Sequence, residues 1–486
     1  MLELLLTLAI VTQDQIPLRG APEENAPRHA VLTQGDTLEV RGVKGDYLQV
    51  YDHRRERAGY VLATQAVEYK LDAQTAPKLL AVAEFLASQP GSEALGLTYS
   101  AAFLKAAPAE MIDANAFAAL GSMADRLAWR ASRVTPGNEK AAQLVSAHME
   151  TAANTGVAFY SVERNDKMTL CYDGDAWRHV LALPASAEQK AEAALALTRH
   201  ECVKTDLLPS QRLEADLQRA ETLGRVLDAG AKSGDLPEHL KNRLKIRAAG
   251  VWAGIAHEQS LKENSDTAVL TAGQTAQTLL AGIDQNALTA SDRAAWNVAA
   301  IRVGASRWAA QPQTLAQPVK GRPGIALAKG EKAGQTCVNV VAAESGKSDG
   351  KSAPDAAAHC TFGHVWTASL AVSPDGQLMT LAVQPLATWR ELWVFHKTPE
   401  GWQLDIVPPS VDQPELGYLE FAGWVPGNKQ MLVAREIVAN GQSKTSFELW
   451  DRNTLAVERR ADKPGNLTAF YRWQDPAWKS GTVAVR

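Results

Sequence analysis

Residues 16–61 read IPLRGAPEENAPRHAVLTQGDTLEVRGVKGDYLQVYDHRRERAGYV and decide the fold class of the N-terminal part of the chain. Short runs of alternating apolar residues follow one another, and the pairs Gly35-Asp36 and Gly45-Asp46 separate them. Gly and Asp are typical turn residues, and alternation is typical of a half-buried strand. The pattern therefore predicts a small all-β barrel of about five strands over residues 13–69.

The same residues resemble the bacterial SH3-like domain family. The shared motifs are Leu18-Arg19 with Pro22, Leu32 with Gly35-Asp36, Leu38 and Val40, Gly45-Asp46-Tyr47, and Gly59-Tyr60-Val61. They cover nearly the whole module but only a small part of the 486-residue chain. Family members often carry Trp where this chain has Tyr47 and Tyr60. The resemblance implies an SH3-like barrel and, as in some relatives, binding of peptides or cell-wall peptides.

Aromatic and basic side chains lie close together in this module. The candidate ligand-binding residues are Arg19, Arg41, Tyr47, Tyr51 and Tyr60, with Arg54-Arg55 beside them. This mixture suits an extended peptide, or a polymer with amide and carboxylate groups. The alternative is that the tyrosines only fill the barrel and that the module packs on the helices that follow, because strand positions favour aromatic residues in any case.

The N-terminus carries an apolar run from Met1 to Val11 that turns polar at Thr12. A secretory signal also needs a basic start and small residues before the cleavage site, and neither is present. Residues 1–12 are therefore either the remnant of a leader or a first β-strand. No later stretch reaches ~18 uninterrupted apolar residues, so the sequence predicts no transmembrane segment.

The four cysteines fall into two close pairs. Their spacing favours disulfides between Cys171 and Cys202 and between Cys337 and Cys360. Two disulfides would indicate a periplasmic or secreted protein. Two alternatives stay open: free buried thiols, or a zinc site at His359, Cys360 and His364, which lacks the repeated Cys-x-x-Cys spacing.

Residues 71–310 have a composition and a spacing of apolar residues that are typical of α-helices. Ala, Leu, Glu, Lys and Arg dominate, and Leu240, Leu244, Val251 and Ile255 share one helical face. Ser186 and Thr289 are followed three residues later by Gln189 and Asp292, as at helix starts. We expect about eight to ten helices. Alternation on both sides of residues 164–167 predicts a β-hairpin inserted among them, with Cys171 in its second strand.

The C-terminal part returns to strands after a Pro- and Gly-rich linker at residues 311–335. Within the domain at residues 336–486, two groups of four strands are predicted around turns such as Ser373-Pro374-Asp375-Gly376. The sequence of this domain resembles propeller blades of the WD-repeat or TolB-like kind, with Leu449-Trp450-Asp451 near the end of a third strand. Two blades are too few to close a ring, which needs roughly four. We therefore expect an open antiparallel sheet or a pair of blades, packed against the helices or against a partner, and its tryptophans are expected mainly in the core.

Three fragments that suggest chemistry are each incomplete. Gly346-Lys347-Ser348 and Gly350-Lys351-Ser352 lack the first Gly of a phosphate loop, and Leu261 stands where a zinc-protease helix that begins at His257-Glu258 needs His. Asp173 and Asp175 lack the other ligands of a calcium loop. The sequence therefore predicts no catalytic residue, cofactor site or metal site.

The charge balance also limits the function. Fifty basic and fifty-four acidic residues give a formal net charge of −4, which does not favour nucleic acid. The prediction is an exported, non-enzymatic binding or scaffold protein of the cell envelope, whose SH3-like module docks a peptide, peptidoglycan or an envelope protein. The alternatives are a cell-wall hydrolase that carries a targeting module, and a subunit of a multi-protein envelope assembly.

Overall fold

The computed structural model describes residues 7–164, 166–313, 322–341, 359–411, 416–427, 429–439 and 441–481. The chain forms two compact units. Unit 1 consists of Met1–Leu207 with Asp228–Pro237, and unit 2 consists of Leu208–Leu227 with Glu238–Arg486. The protein is thus multidomain, with an N-terminal antiparallel sheet, a helical middle region and a C-terminal sheet region.

Unit 1 begins with a seven-stranded antiparallel sheet. Its strands are β1 (Thr7–Val11), β2 (Ile16–Arg19), β3 (Arg28–Leu32), β4 (Thr37–Lys44), β5 (Tyr47–Asp52), β6 (Arg57–Leu62) and β7 (Ala66–Lys70). They are ordered β3-β2-β6-β5-β4-β1-β7. No pairing between the end strands β3 and β7 occurs among the described residues, so the closed barrel that the sequence predicted is not found.

Strand β1 lies before the predicted start of the module at residue 13. It pairs with both β4 and β7, and Ala9, Ile10 and Val11 are buried. Residues 7–11 therefore follow the first-strand alternative, because an apolar run of this length completes the sheet by covering the edge of β4.

In the sequence, the helices of unit 1 follow the sheet, and a two-stranded hairpin lies between the fourth and the fifth helix. They are α1 (Ala76–Ala87), α2 (Glu93–Ala106), α3 (Ala114–Ala131), α4 (Glu139–Asn154), α5 (Asp175–Ala182) and α6 (Ala187–Leu197). The hairpin pairs β8 (Phe159–Arg164) with β9 (Lys167–Tyr172), as predicted. Cys171 on β9 is bonded to Cys202, which confirms the first predicted disulfide and ties the hairpin to the segment after α6.

The sheet and the helices of unit 1 share a core. One side of the sheet buries its own apolar residues, among them Leu18, Leu48 and Val50. On the other side, Ile10 and Tyr69 pack with Leu79 of α1 and Phe103 of α2. The module therefore packs on the helices that follow it, which agrees with the packing part of the alternative to ligand binding.

A long helix, α7 (Pro209–Ser233), contributes residues to both units, and unit 2 continues with α8 (Glu238–Ser260), α9 (Asp266–Ala281) and α10 (Ala290–Ala305). The four residues predicted on one face of α8 are all buried. Thr289 caps α10 by accepting a hydrogen bond from Asp292 N at 3.2 Å, as its spacing indicated. Within the described part of residues 71–310, the ten helices α1–α10 agree with the predicted number.

The strands of unit 2 form two sheets. The first sheet contains β10 (Gly324–Lys329), β11 (Thr336–Val341) and β12 (His359–Thr361). The second contains β13 (His364–Val372), β14 (Leu378–Leu386), β15 (Trp389–Thr398), β16 (Gly401–Val407), β17 (Gly417–Trp424), β18 (Gln430–Ala439), β19 (Gln442–Asp451) and β20 (Val457–Ala461). Strand β10 lies inside the predicted linker. Cys337 and Cys360 face each other on β11 and β12 and form the second predicted disulfide.

The eight-stranded sheet contains the two predicted groups of four strands. They join through a parallel pairing of β15 with β17, at Trp389↔Gly417 and Arg390↔Tyr418, which corrects the expectation of a purely antiparallel sheet. Strands β15 and β17 run in the same direction because β16 reverses the chain between them and the connection to β17 reverses it again.

Several apolar clusters contain residues of these strands. The three-stranded sheet packs on one face of β13–β15 through Val338, Trp393 and Phe395. The two groups of four meet through residues such as Leu392, Leu419 and Trp450. The outer face of the second group is covered by α11 (Thr468–Trp473) and α12 (Pro476–Gly481).

Most tryptophans of the C-terminal part lie in this core, as predicted. The buried ones are Trp366, Trp389, Trp393, Trp402, Trp450 and Trp478. In the part of the chain that the structure describes, no helix is both long and apolar enough to span a bilayer. The phosphate-loop fragments at residues 346–352 lie outside the described residues.

Candidate ligand-binding face

Strand β5 supplies the centre of the candidate site. Leu48, Val50 and Asp52 are buried, so alternation directs Tyr47, Gln49 and Tyr51 to the opposite, outward side of the sheet. A strand that alternated less strictly would place one of these aromatic rings in the core. The outward side of β5 is therefore rich in aromatic groups because the sequence keeps its apolar residues in strict register.

The neighbouring strands add the other predicted residues to this side. Gln49 is opposite Gly42 on β4 and opposite Tyr60 on β6, and Tyr60 is in turn opposite Arg19 on β2. Tyr60 is thus a diagonal neighbour of both Tyr47 and Tyr51, within reach of their rings. We call the set Arg19, Arg41, Tyr47, Gln49, Tyr51 and Tyr60 the tyrosine face.

Tyr51 is already engaged by other residues of the module. The Arg41 guanidinium lies 4.1 Å from the centre of the Tyr51 ring, and His53 meets the ring edge-on at 4.9 Å. Glu39 accepts hydrogen bonds from Arg41 Nε at 3.1 Å and from His53 Nε2 at 2.6 Å. The hydrogen bond from Arg41, together with the one from His53, lowers the pKa of Glu39. These contacts preorganise the Tyr51 end of the face before any ligand binds.

Tyr47 and Tyr60 differ from Tyr51 in their surroundings. Both are half-buried, and no ring or cation of the described residues stacks on them. Gln49 lies between them in the register, and a Cβ built at Gly42 would be 3.4 Å from Gln49 Oε1. The missing side chain at Gly42 therefore leaves the Gln49 amide open, with Tyr60 directly opposite it on β6 and Tyr47 two residues away on β5.

Arg19 borders this group at β2. Among the described residues, its Nη1 atom donates a single long hydrogen bond, 3.4 Å, to the carbonyl oxygen of Ala26. The half-buried guanidinium is therefore held in place while most of its donors are available to a carboxylate.

Arg54 and Arg55 do not belong to the face, although the sequence placed them beside it. Arg54 Nη1 pairs with Asp36 at 3.1 Å, and Arg55 pairs with Asp36 at 2.9 Å and with Asp52 at 2.7 Å. Asp36 and Asp52 are buried, so both arginines turn inward to neutralise them.

Sequence reasoning missed a buried polar network in unit 1. His148 of α4 lies between Asp14 and Arg130, and its Nε2 donates to Asp14 Oδ1 at 2.9 Å while its Nδ1 accepts from Arg130. Glu93 of α2 accepts from Arg126 at 2.6 Å and from Arg130 at 2.5 Å. These residues lie far apart in the sequence and meet only in the folded chain. No local sequence pattern therefore predicts the network.

This network joins the sheet to the helices. Burial would raise the pKa of Asp14, but the hydrogen bonds from His148 and Gln34 outweigh it and lower that pKa. Burial opposes ionisation of Glu93 as well, yet the Gly91 amide and the two arginines lower its pKa. Both ring nitrogens of His148 have hydrogen-bond partners.

The other fragments weighed for metal binding have structural partners. Asp173 Oδ1 accepts from Asp175 N at 3.0 Å in the turn before α5, and Cys360 is disulfide-bonded. Within the described residues, no group of three or more His, Cys, Asp and Glu side chains is arranged to hold a metal ion. His257 and Glu258 are buried in α8.

Comparisons with protein-family models, with curated proteins and with solved structures give no match for this chain.

Proposed function

We propose that this protein is an exported, non-enzymatic binding or scaffold protein of the cell envelope, whose SH3-like module docks an extended peptide or a peptidoglycan-like chain. The observation that carries the proposal is the tyrosine face, in which two unstacked tyrosine rings flank an open amide beside a half-buried arginine. The two disulfides support export, because such bonds persist in oxidising compartments.

Each group of the face has a part in this proposal. The rings of Tyr47 and Tyr60 offer rigid apolar area to the ligand backbone or its methyl groups at low entropic cost. The Gln49 amide can both donate to and accept from a peptide bond of the ligand. The Arg19 guanidinium can pair with a carboxylate, which peptide stems and chain ends supply.

The C-terminal strands act in this proposal as a partial-propeller frame. Their apolar faces are covered by the three-stranded sheet, by each other and by α11 and α12. A subunit of a larger assembly would favour a large apolar sheet face left open, whereas the exposed residues Leu386, Ile406 and Val457 belong to three different strands, β14, β16 and β20.

The test is sedimentation of the full chain with purified peptidoglycan, together with titration of soluble wall peptides. Tyr47→Ala and Tyr60→Ala should each weaken binding by about 1–2 kcal/mol, roughly tenfold, because each removes a central aromatic contact. Tyr471→Ala is the matched control, since Tyr471 is 70% exposed on α11 and lies outside the face.

Two results would contradict the proposal. Equal binding by wild type and by the Tyr47→Ala/Tyr60→Ala double variant would remove the face from recognition. Release of soluble fragments from labelled peptidoglycan by the pure protein would instead favour the hydrolase alternative.

A further inference from the structure

A row of buried polar residues crosses three strands of the eight-stranded sheet. Arg390 of β15 is opposite Tyr418 of β17, and Tyr418 is opposite Glu436 of β18. Arg390 and Tyr418 are 0% exposed and Glu436 is 1% exposed. Burial of polar groups costs free energy unless hydrogen bonds or ion pairs compensate for it, so this row of buried polar residues needs a structural or functional explanation.

The row holds the end of helix α10. Arg390 Nη1 donates to the carbonyl oxygens of Gly304 at 2.8 Å and of Ala305 at 3.1 Å, and its Nη2 donates to Glu420. A cation at the carbonyl end of a helix is favourable. Tyr418 packs directly on Gly304, where an added Cβ would be 2.3 Å from Tyr418 Cε1. The contact therefore exists only because residue 304 is Gly.

The groups around Glu436 come from every element that packs there. Strand β15 gives Arg390, β17 gives Tyr418 and Glu420, β19 gives Thr445, and the turn after α10 gives Arg307, whose Nε is 3.0 Å from Glu420 Oε2. Helix α10 contributes Ile301 and Ala305 to the apolar cluster that contains Tyr418. Glu420 thus pairs with both arginines, whereas Glu436 Oε1 has no hydrogen-bond partner among the described residues.

We propose that Glu436 is a pH-sensitive latch, whose bound proton keeps α10 docked on the sheet and whose loss loosens the end of the helix. Ionised Glu436 competes with the carbonyl oxygens of Gly304 and Ala305 for Arg390. It also places a second carboxylate beside Glu420 in a site that excludes water. Both effects weaken the hold of the sheet on α10.

The direction of the pH effect follows from the burial of this carboxyl. Burial raises the pKa of Glu436 from 4.5 to about 7, although Tyr418, Thr445 and Arg390 lower it in part. A carboxyl with a raised folded-state pKa stabilises the docked state fully below the pKa of the open state, and that stabilisation is lost as the pH rises to about 7. With the ordinary pKa in the open state, the opening equilibrium of α10 should rise about 30-fold between pH 5.5 and 8.5.

Hydrogen exchange of the full chain tests the latch. Mass spectrometry of peptides from Ala290–Ala305, corrected for intrinsic exchange, should show this rise in the wild type. In Glu436→Gln, which imitates the protonated carboxyl, the opening of α10 should stay at its low-pH value throughout. Glu458→Gln, on the exposed strand β20, is the matched control and should behave like the wild type.

Hydrogen exchange of α10 in the wild-type chain is by itself sufficient to overturn the proposal, and the variants add a second test. Protection of α10 that does not change between pH 5.5 and 8.5 would overturn it, and so would an equal rise in Glu436→Gln. Tyr418→Phe removes a hydroxyl that lowers the pKa of Glu436, so the midpoint of the change should move to higher pH. An unmoved midpoint would remove Glu436 as the titrating group.

Discussion

At the scale of single residues, side-chain direction determines what the tyrosine face can bind. Tyr47, Gln49 and Tyr51 point outward only because Leu48, Val50 and Asp52 fill the inward positions of β5. A one-residue shift of register would bury all three outward residues. Recognition therefore depends on the same alternation that holds the sheet together.

Gly35 shows a second effect at this scale. The sequence indicates only a turn, and the structure adds a reason for glycine. Its φ is +89°, and a Cβ there would be 2.8 Å from the carbonyl oxygen of Ala94 on α2. Thr98 of α2 donates to Gly35 O at 2.8 Å. The turn is thus a close contact between the sheet and the helices.

Asp375 should make a pH-dependent contribution to the stability of unit 2. Burial alone would raise its pKa, but hydrogen bonds from Arg452 and Ser373 outweigh burial and lower the pKa to about 2. A lowered folded-state pKa stabilises the fold above the ordinary value of 3.8, and this stabilisation is lost as the pH falls to about 2.

We therefore expect Asp375→Asn to lower the free energy of unfolding by about 1 kcal/mol at pH 6, a value reduced for solvent screening of this partly exposed pair. Urea denaturation at pH 6 and pH 3 measures the difference, which should shrink at the lower pH. Asp405→Asn is the control, because Asp405 pairs with His396 and is more exposed than Asp375. A difference that is equal at both pH values would contradict the ion-pair account.

At the scale of elements, capping and connection decide where helices and strands begin. Ser186 Oγ accepts from Gln189 N at 3.1 Å, and Gln189 Oε1 accepts from Ser186 N at 3.0 Å. Both amides would otherwise lack partners at the start of α6. The sequence signature of this helix start is therefore confirmed in full.

Replacing Ser186 with Ala should destabilise unit 1 by about 1 kcal/mol, since it removes one cap bond and weakens its reciprocal partner. Denaturant unfolding of Ser186→Ala, Gln189→Ala and the double variant measures this effect. The double variant should lose less than the sum of the single ones because the two bonds form one unit. Strict additivity would show that they act independently.

At the scale of the whole molecule, the two compact units should respond separately to loss of a disulfide. Removing the Cys171–Cys202 bond, which closes a sequence separation of 31 residues, should cost unit 1 about 3 kcal/mol in the chain-entropy model. Calorimetry of Cys171→Ser/Cys202→Ser should show one transition at lower temperature and the other unchanged.

The matched control is Cys337→Ser/Cys360→Ser, whose bond lies in unit 2. It should move the transition that the first variant leaves in place. Equal shifts of one single transition by both variants would mean that the two units unfold together.

Much of the secondary structure was determined by the sequence alone, because its signals are local. Alternation predicted the hairpin β8–β9 and the two groups of four C-terminal strands, and spacing predicted both disulfides and the buried face of α8. The candidate ligand residues also came from local pattern. Their grouping on one outward side needed the register of four strands.

Only the tertiary structure decided how these elements meet. It gave β1 its place in an open seven-stranded sheet, turned Arg54 and Arg55 inward, and assembled His148 with Asp14 and Arg390 with Glu420. Such partners lie far apart in the chain, and each is chosen because a buried charge must be neutralised at a particular point in space. Local periodicity carries no information about that point, so the buried polar networks could be found only in the folded chain.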